Sequence, residues 1–185
     1  MFRRLKVLVA EDESLVAMGL KSALKRLGHE VIGQAFDGLE AVEMSKRLQP
    51  ELVLMDINMP KLDGIEAAKL INEHNPIPVI IISGYSQADL ISRATEAGVY
   101  GYLVKPVDKT DLAPAIDVAF GRFEETLRFK RSLEERKLIE RAKGVLMDKR
   151  GLRENEAMKY LERQSQNTNE KLAIVAKKIL EGNDY

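Results

Sequence analysis

Acidic, hydroxyl and amine side chains each follow a short apolar run in the first two thirds of the chain. Glu11 and Asp12 follow the first run, Asp56 ends the third, Ser83 ends the fourth, and Lys105 follows the fifth. If these runs are neighbouring parallel strands, their carboxyl ends share one end of a sheet. The sequence therefore predicts that three carboxylates, a hydroxyl and an amine meet at one place.

This combination of groups has a definite chemistry. Crowded carboxylates repel one another, and a hard divalent cation relieves that repulsion. Mg²⁺ suits an oxygen-only site with few protein ligands, because it keeps several waters. A carboxylate beside the ion can attack a phosphoryl group in line, while the amine and the hydroxyl hold its oxygens. The alternative interpretation is that acids at strand ends only cap the following helices, where the helix dipole favours negative charge.

The elements that must position these groups are five strands alternating with helices. The strand-like runs are nearly continuous and rich in β-branched residues; they cover 5–10, 30–35, 51–56, 78–83 and 99–104. Such runs are typical of strands buried on both faces of a parallel sheet. We therefore predict an α/β fold, a five-stranded doubly wound parallel sandwich of the flavodoxin-like kind.

Local signals also predict where the first helices begin and end. The first helix is expected to bury a stripe made of Leu15, Met18, Leu20, Leu24 and Leu27. Gly28 ends that helix, and Asp37 caps the next one, which Pro50 prevents from continuing.

Composition limits the classes of function. The chain has 185 residues with no cysteine and only two histidines, which excludes thiol chemistry and nearly excludes a multi-histidine zinc site. No apolar run approaches a membrane span, and the start Met1-Phe2-Arg3-Arg4 does not resemble a signal peptide, so we expect a reducing, cytoplasmic setting. Residues 1–120 carry 13 Lys and Arg against 17 Asp and Glu, whereas residues 121–185 carry 16 against 12. This asymmetry favours two domains with different partners, although helical surfaces alone can produce it.

Four segments of the acidic part resemble a bacterial response-regulator receiver domain. They are 11–13, 55–64, 82–84 and 101–106, they occur in the family's order, and the resemblance covers about residues 4–120. It implies that Asp56 is the phosphoacceptor and that Asp12, Asp56 and the backbone carbonyl of Asn58 ligate Mg²⁺. Glu11 stands where many receivers have Asp and would help to hold the ion.

The same resemblance implies how the domain switches. Ser83 matches the switch hydroxyl, Tyr102 matches the switch aromatic, and Lys105 would pair with the phosphoryl group. The Lys105-Pro106 peptide bond is expected to be cis. Tyr102 could instead be an ordinary packed tyrosine.

Beyond residue 108 the pattern is helical. We predict one long helix over 108–131, a second over 133–147 that Gly151 ends, a third through 156–161, and a last one over 172–180. The long helix either packs on the sheet or forms a coiled-coil dimer segment. These predictions place a receiver domain at 1–120 and a linker helix with a small all-α domain at 121–185.

The C-terminal helices resemble an ANTAR domain, a three-helix RNA-binding module of transcription antiterminators. The matching residues are Ile139, Ala142-Lys143-Gly144, Leu146, Gly151, Glu156-Ala157, Leu161, Asn169, Leu172 and Val175-Ala176, and the resemblance covers about 124–182. Ser165 departs from the family, which usually has Ala there. Candidate phosphate contacts are Lys143, Arg150, Arg153, Lys159, Arg163 and Lys171, and Tyr160 could stack on a base. The alternatives are that each cation only belongs to a solvated face and that Tyr160, at helical spacing, belongs to the core.

Together these resemblances imply a switch and not a metabolic enzyme. A sensor histidine kinase would phosphorylate Asp56, two chains would pair through the long helix, and the paired domains would bind RNA stem-loops in a nascent transcript. The alternatives are a DNA-binding regulator, a phosphatase with an aspartate nucleophile, and a regulator that binds only proteins.

Overall fold

The computed structural model describes residues 3–84 and 88–182, so Met1 and Phe2 of the predicted start lie outside it. These residues form two compact units that divide between Glu124 and Glu125. Each unit has its own hydrophobic core.

The first unit is built on a five-stranded parallel sheet. Its strands are β1 (Lys6–Ala10), β2 (Glu30–Ala35), β3 (Leu52–Asp56), β4 (Val79–Ser83) and β5 (Gly101–Val104), in the order β2-β1-β3-β4-β5. The helices between them are α1 (Ser14–Arg26), α2 (Gly38–Leu48), α3 (Gly64–His74) and α4 (Ala88–Glu96), and α5 (Lys109–Arg150) follows β5. The predicted doubly wound α/β fold is confirmed.

Alternate residues of the strands supply two separate cores, one on each face of the sheet. Leu8, Val53 and Ile81 belong to the core that packs against α2, α3 and α4. Leu54 and Ile80 belong to the core that packs against α1 and the beginning of α5. Because both faces are covered, the strands are apolar at nearly every position.

Two of the local predictions for the helices were correct and one was partly wrong. Asp37 caps α2 by accepting a hydrogen bond from the backbone N–H of Glu40 at 2.8 Å. Gly28 follows the end of α1 with a φ of 86°. Leu15 and Met18, however, are 80% and 63% exposed, so the predicted stripe of α1 is not all core. Ala17 takes their place beside Leu20 and Leu24.

The predicted break between helices near residue 132 was wrong. Helix α5 continues for 42 residues from Lys109 to Arg150, where Gly151 ends it with a φ of 65°. The sequence between 122 and 143 contains neither Gly nor Pro and is rich in Arg, Lys, Glu and Leu, which favour helix. Loss of the apolar stripe therefore marks a change of surroundings and not the end of the helix.

The second unit combines the last part of α5 with α6 (Glu154–Thr168) and α7 (Leu172–Leu180). Its core is a small apolar cluster that includes Leu146, Leu161, Val175 and Ile179. Asn169 ends α6 in the left-handed conformation, and α6 is longer at both ends than the segment predicted from sequence.

Candidate functional site

Four strands deliver the predicted chemical groups to one end of the sheet. The register pairs Asp56 of β3 with Ile82 of β4, and Ser83 with Val104 of β5, so the carboxyl ends of these strands are level. Glu11 follows β1 directly, and its backbone N–H donates to the carbonyl of Ala35 at 3.0 Å.

The acidic cluster consists of Glu11, Asp12 and Asp56. Each contributes a carboxylate oxygen that lies within 4.8 Å of the others. Glu11 is fully buried and Asp56 nearly so, whereas Asp12 is exposed. The sheet therefore holds two of these acids in a low-dielectric environment with a third at its mouth.

Lys105 compensates the buried acids. Its Nζ atom lies 2.8 Å from Oε2 of Glu11 and 3.0 Å from Oδ1 of Asp56. Burial raises the pKa of Glu11, and the nearby charge of Asp56 raises it further, while Lys105 opposes both effects. Burial acts to lower the pKa of Lys105, but its bonds to Glu11 and Asp56 outweigh this and raise it.

The donor set suits a hard cation. It consists of carboxylate oxygens, and one of them, Oε2 of Glu11, is buried against the ammonium of Lys105 at 2.8 Å. An oxygen-only set with an exposed member is the type that Mg²⁺ occupies while keeping part of its water shell.

The loop after Asp56 is held against the site from two sides. The backbone N–H of Asn58 donates to Oδ2 of Asp56 at 3.1 Å, and that of Gly64 donates to the carbonyl of Ile57 at 2.8 Å. A Cβ atom at Gly64 would lie 1.9 Å from the carbonyl oxygen of Asp56, so only glycine fits there.

Lys61 and Asp37 fasten the same loop to α2, a contact that the sequence analysis missed. Lys61 has a φ of 64°, and its Nζ atom lies 2.6 Å from Oδ2 of the nearly buried Asp37. The bond to Lys61, and then the cap bond from Glu40, lower the pKa of Asp37. No spacing rule links residues 37 and 61, so only the folded chain shows the pair.

Ser83 and Tyr102 lie on neighbouring strands beside the cluster. Ser83 is 1% exposed, and Tyr102 is partly buried against the core beneath α4. The backbone N–H of Lys105 donates to the carbonyl of Ser83 at 2.8 Å, and the Lys105-Pro106 bond is cis, as predicted.

An apolar depression opens beside Lys105, with a volume of about 370 Å³. Its walls come from α1 and from the segment after β5 and include Val16, Leu20, Pro106 and Val107. Part of this apolar surface belongs to α1, the helix that also carries the exposed Leu15 and Met18.

In the C-terminal unit the predicted RNA-binding cations have different surroundings. Lys143 is 8% exposed, and its Nζ atom lies 2.9 Å from a carboxylate oxygen of Glu140 and 2.8 Å from one of Glu154. The bond to Glu154, and then that to Glu140, raise the pKa of Lys143. Lys143 thus joins α5 to α6, and its ammonium is occupied by carboxylates.

The other predicted cations are exposed: Arg150, Arg153, Lys159, Arg163 and Lys171. The guanidinium of Arg150 lies 4.8 Å from the centre of the partly buried Tyr160 ring. Tyr160 also packs against the core of this unit.

Ser165, which stands where the family usually has Ala, makes a hydrogen bond that Ala could not make. Its hydroxyl donates to the carbonyl of Glu170 at 2.6 Å across the turn between α6 and α7. The carboxylate of Glu170 in turn receives the ammonium of Lys178 at 2.6 Å. These contacts close the turn that the sequence placed around Asn169.

A parallel sheet of this order, with three acids and a lysine at its carboxyl end, defines a receiver domain. The family model of the response regulator receiver domain matches residues 7–117, and that of the ANTAR domain matches residues 127–180. The chain belongs to the response regulators and combines a receiver with an ANTAR domain, so the predicted family is confirmed.

Similar proteins agree with this assignment. The chain is 42% identical over 183 residues to the transcriptional regulatory protein PdtaR of Mycobacterium tuberculosis, covering 95% of this chain and 89% of PdtaR. The chemotaxis protein CheY of Thermotoga maritima is 36% identical over 113 residues, which cover 60% of this chain and 94% of CheY. A crystal structure of a CheX-CheY-BeF₃-Mg²⁺ complex from Borrelia burgdorferi matches with a TM-score of 0.58 and 30% identity, covering 60% of this chain and 85% of that chain.

Within residues 3–84 and 88–182, no helix has the length and apolar character needed to cross a membrane.

Proposed function

We propose that Asp56 accepts a phosphoryl group from a sensor histidine kinase and that this modification controls binding of RNA stem-loops by the C-terminal domain. The observation that carries the proposal is the cluster of Glu11, Asp12 and Asp56, with the ammonium of Lys105 against two of its carboxylates. The protein would act as a switch, and its only catalysis would be transfer of the phosphoryl group to its own aspartate and the later hydrolysis.

Mg²⁺ is the ion that fits this cluster. Asp12, Asp56 and the backbone carbonyl of Asn58 would ligate it, and Glu11 would hold it through a water molecule. When bound, Mg²⁺ supplies positive charge for the phosphoryl oxygens. The related CheY structure that carries BeF₃ and Mg²⁺ supports the same ion here.

Each side chain of the site would have a separate role in phosphoryl transfer. A carboxylate oxygen of Asp56 attacks phosphorus as the bond to the donor histidine nitrogen breaks, and Lys105 pairs with the phosphoryl oxygens. Afterwards the hydroxyl of Ser83 would donate to the phosphoryl group, and Tyr102 would move inward. The surface formed by α4, β5 and α5 would change as a result.

The donor needs a surface beside Asp56, and α1 offers one. Leu15 and Met18 are unusually exposed for apolar residues, and the apolar depression at Pro106 and Val107 lies next to Lys105. We assign this face to the histidine-bearing domain of the kinase, whose phosphohistidine must come within bonding distance of Asp56.

Replacing both Leu15 and Met18 by Ala tests this docking face. We expect phosphotransfer from a kinase that phosphorylates the wild-type chain to slow by roughly tenfold, because apolar contact area is lost. Phosphorylation by acetyl phosphate should be unchanged, since that donor needs no docking. The matched control is Leu70→Ala, which removes an exposed leucine from α3. Equal slowing with both donors would contradict the assignment.

The output would be control of transcription by antitermination. Phosphorylation would promote pairing of two chains through α5, and the paired ANTAR domains would hold stem-loops of a nascent transcript so that a terminator cannot form. Support comes from the ANTAR match, the similarity to PdtaR, and the exposed cations Arg150, Arg153, Arg163 and Lys171.

One experiment separates this function from its alternatives. Binding of the full chain to RNA hairpins and to duplex DNA is measured over a salt series, with and without beryllofluoride and Mg²⁺. We expect hairpins to bind more tightly and beryllofluoride to strengthen binding, with no such strengthening in Asp56→Asn. Tighter duplex DNA binding would indicate a DNA-binding regulator, and failure to bind either would indicate a protein-binding one. Phosphomonoester turnover that is lost in Asp56→Ala would indicate a phosphatase.

A further inference from the structure

We propose that a cavity at the junction of α5 and α6 binds one unstacked nucleobase of an RNA loop, an inference that rests on the RNA-binding function proposed above. This base cavity is an open depression on the surface, lined by Lys143, Arg153, Glu154, Asn155 and Met158, with a volume of about 480 Å³. That volume falls within the range of about 300–1,000 Å³ that is usual for sites of small molecules.

The base cavity is held open by fixed contacts. Lys143 reaches from α5, and its ammonium bonds to Glu154 in the first turn of α6 and to Glu140 one turn earlier in α5. The backbone N–H of Arg153 donates to the carboxylate of Glu156 at 2.8 Å, which fixes the start of α6. A site that is formed before the ligand arrives loses less entropy on binding.

The cations of the base cavity are balanced by carboxylates. Glu140 and Glu154 contact the ammonium of Lys143, and the carboxylate of Glu156 lies at the backbone N–H of Arg153. A phosphate entering here would meet carboxylates as well as cations, so the cavity suits a neutral polar ring better than an anion. Phosphates would contact exposed cations elsewhere on the unit, such as Arg163 and Lys171.

The remaining walls match the faces and edges of a base. The exposed amide of Asn155 offers both donors and an acceptor, the combination that pairs with the hydrogen-bonding edge of a nucleobase. The half-buried Met158 offers a polarisable apolar surface for the face of the ring. The planar guanidinium of Arg153 can also stack on the ring.

The test combines side-chain removal with base removal. A hairpin library with a fixed stem and a randomised loop is selected on the full chain with beryllofluoride, and the bound hairpin is then made with one abasic site at a time. In the wild type we expect one loop position at which base removal weakens binding by roughly tenfold or more. Asn155→Ala/Met158→Ala should bind the intact hairpin about as weakly as the wild type binds the hairpin that lacks this base. Removing the same base should not weaken binding by the variant any further. Because no charge is removed, the salt dependence of its binding should equal that of the wild type.

The matched control is Asn167→Ala/Ile174→Ala, which removes the same kinds of group from exposed positions outside the cavity. It should bind like the wild type, and thermal unfolding should show both variants folded. The proposal is overturned if the cavity variant binds the intact hairpin normally or keeps the full abasic effect. If the wild type prefers no hairpin over duplex RNA or DNA, the proposed RNA-binding function itself fails, which is a distinct result.

Discussion

Two lysines of this chain are each held by two carboxylates, and their surroundings give them different roles. Lys105 lies between Glu11 and Asp56 at an accessible end of the sheet, where an incoming phosphoryl group can compete for its ammonium. Lys143 lies between two glutamates and is almost buried, so it fixes the junction of two helices. From the sequence, both were predicted to contact phosphate groups. Residue type alone does not reveal what a side chain contacts after folding.

His29 is a titratable group that the sequence analysis left without a role. Its Nδ1 atom accepts a hydrogen bond from the backbone N–H of Leu5 at 3.3 Å, which requires this nitrogen to be unprotonated. Arg3, Asp117 and Glu124 line the same hollow. Burial lowers the pKa of His29, although the charge of Asp117 opposes the effect.

This lowered pKa predicts a loss of stability in mild acid. As the pH falls through about 6.5, His29 of the unfolded chain binds a proton, whereas His29 of the folded chain stays neutral until a lower pH. The contribution of His29 is therefore present above that pH and is lost as the pH falls through the folded pKa. We expect the free energy of unfolding of the wild type to fall more steeply between about pH 7.5 and about pH 5 than that of His29→Asn, whose amide oxygen can accept the same bond. Identical pH profiles in denaturant titrations would refute this role.

At the scale of the elements, the junction between β3 and α3 depends on one glycine. Replacing Gly64 by Ala forces a Cβ atom against the carbonyl of Asp56, and we expect a loss of about 2–3 kcal/mol in the free energy of unfolding. The control is Gly121→Ala in α5, where nothing lies within 4 Å of the added carbon. That helical site should gain up to about 1 kcal/mol. Equal free energies of unfolding of the two variants in urea would show that the loop between Asp56 and Gly64 moves to accommodate the added methyl group at no cost.

The turn between α6 and α7 depends on a hydroxyl. Ser165→Ala removes the hydrogen bond that the hydroxyl donates to the carbonyl of Glu170, so we expect the C-terminal unit to lose about 1 kcal/mol. The neighbouring Gln166→Ala removes an exposed side chain and should change stability little. Hydrogen exchange of α7 amides reports on this unit separately from the receiver. If exchange becomes faster to the same extent in both variants, the Ser165 hydroxyl is not what stabilises this turn.

For the whole molecule, most elements of both units could be predicted, whereas the continuity of α5 and several tertiary contacts could not. Buried parallel strands are apolar at nearly every position, so their ends, and with them Asp56 and Lys105, can be located from sequence. The continuity of α5 was missed because a change of buried face looks like a helix end in a hydrophobic pattern. The exposure of Leu15 and the pairing of Lys61 with Asp37 were missed because both depend on tertiary neighbours.

The proposed pairing of two chains through α5 can be tested directly at the scale of the whole molecule. Phe129 and Leu133 are 73% and 44% exposed and are one helical turn apart, so they offer an apolar seam to a second copy. With beryllofluoride, Phe129→Glu/Leu133→Glu should remain monomeric in sedimentation, whereas the wild type should dimerise. Lys130→Glu changes the net charge by the same amount and should dimerise normally. A dimer in all three proteins would place the interface elsewhere.

The acids and the lysine of the receiver come from segments far apart along the chain, and they meet only after four strands have aligned. The proposed Mg²⁺ would therefore bind the folded sheet and not a nascent or partly unfolded chain. By mass action, its ambient concentration would add to the stability of the native receiver. Binding of the ion that prepares the receiver for phosphorylation would thus also favour its folded state.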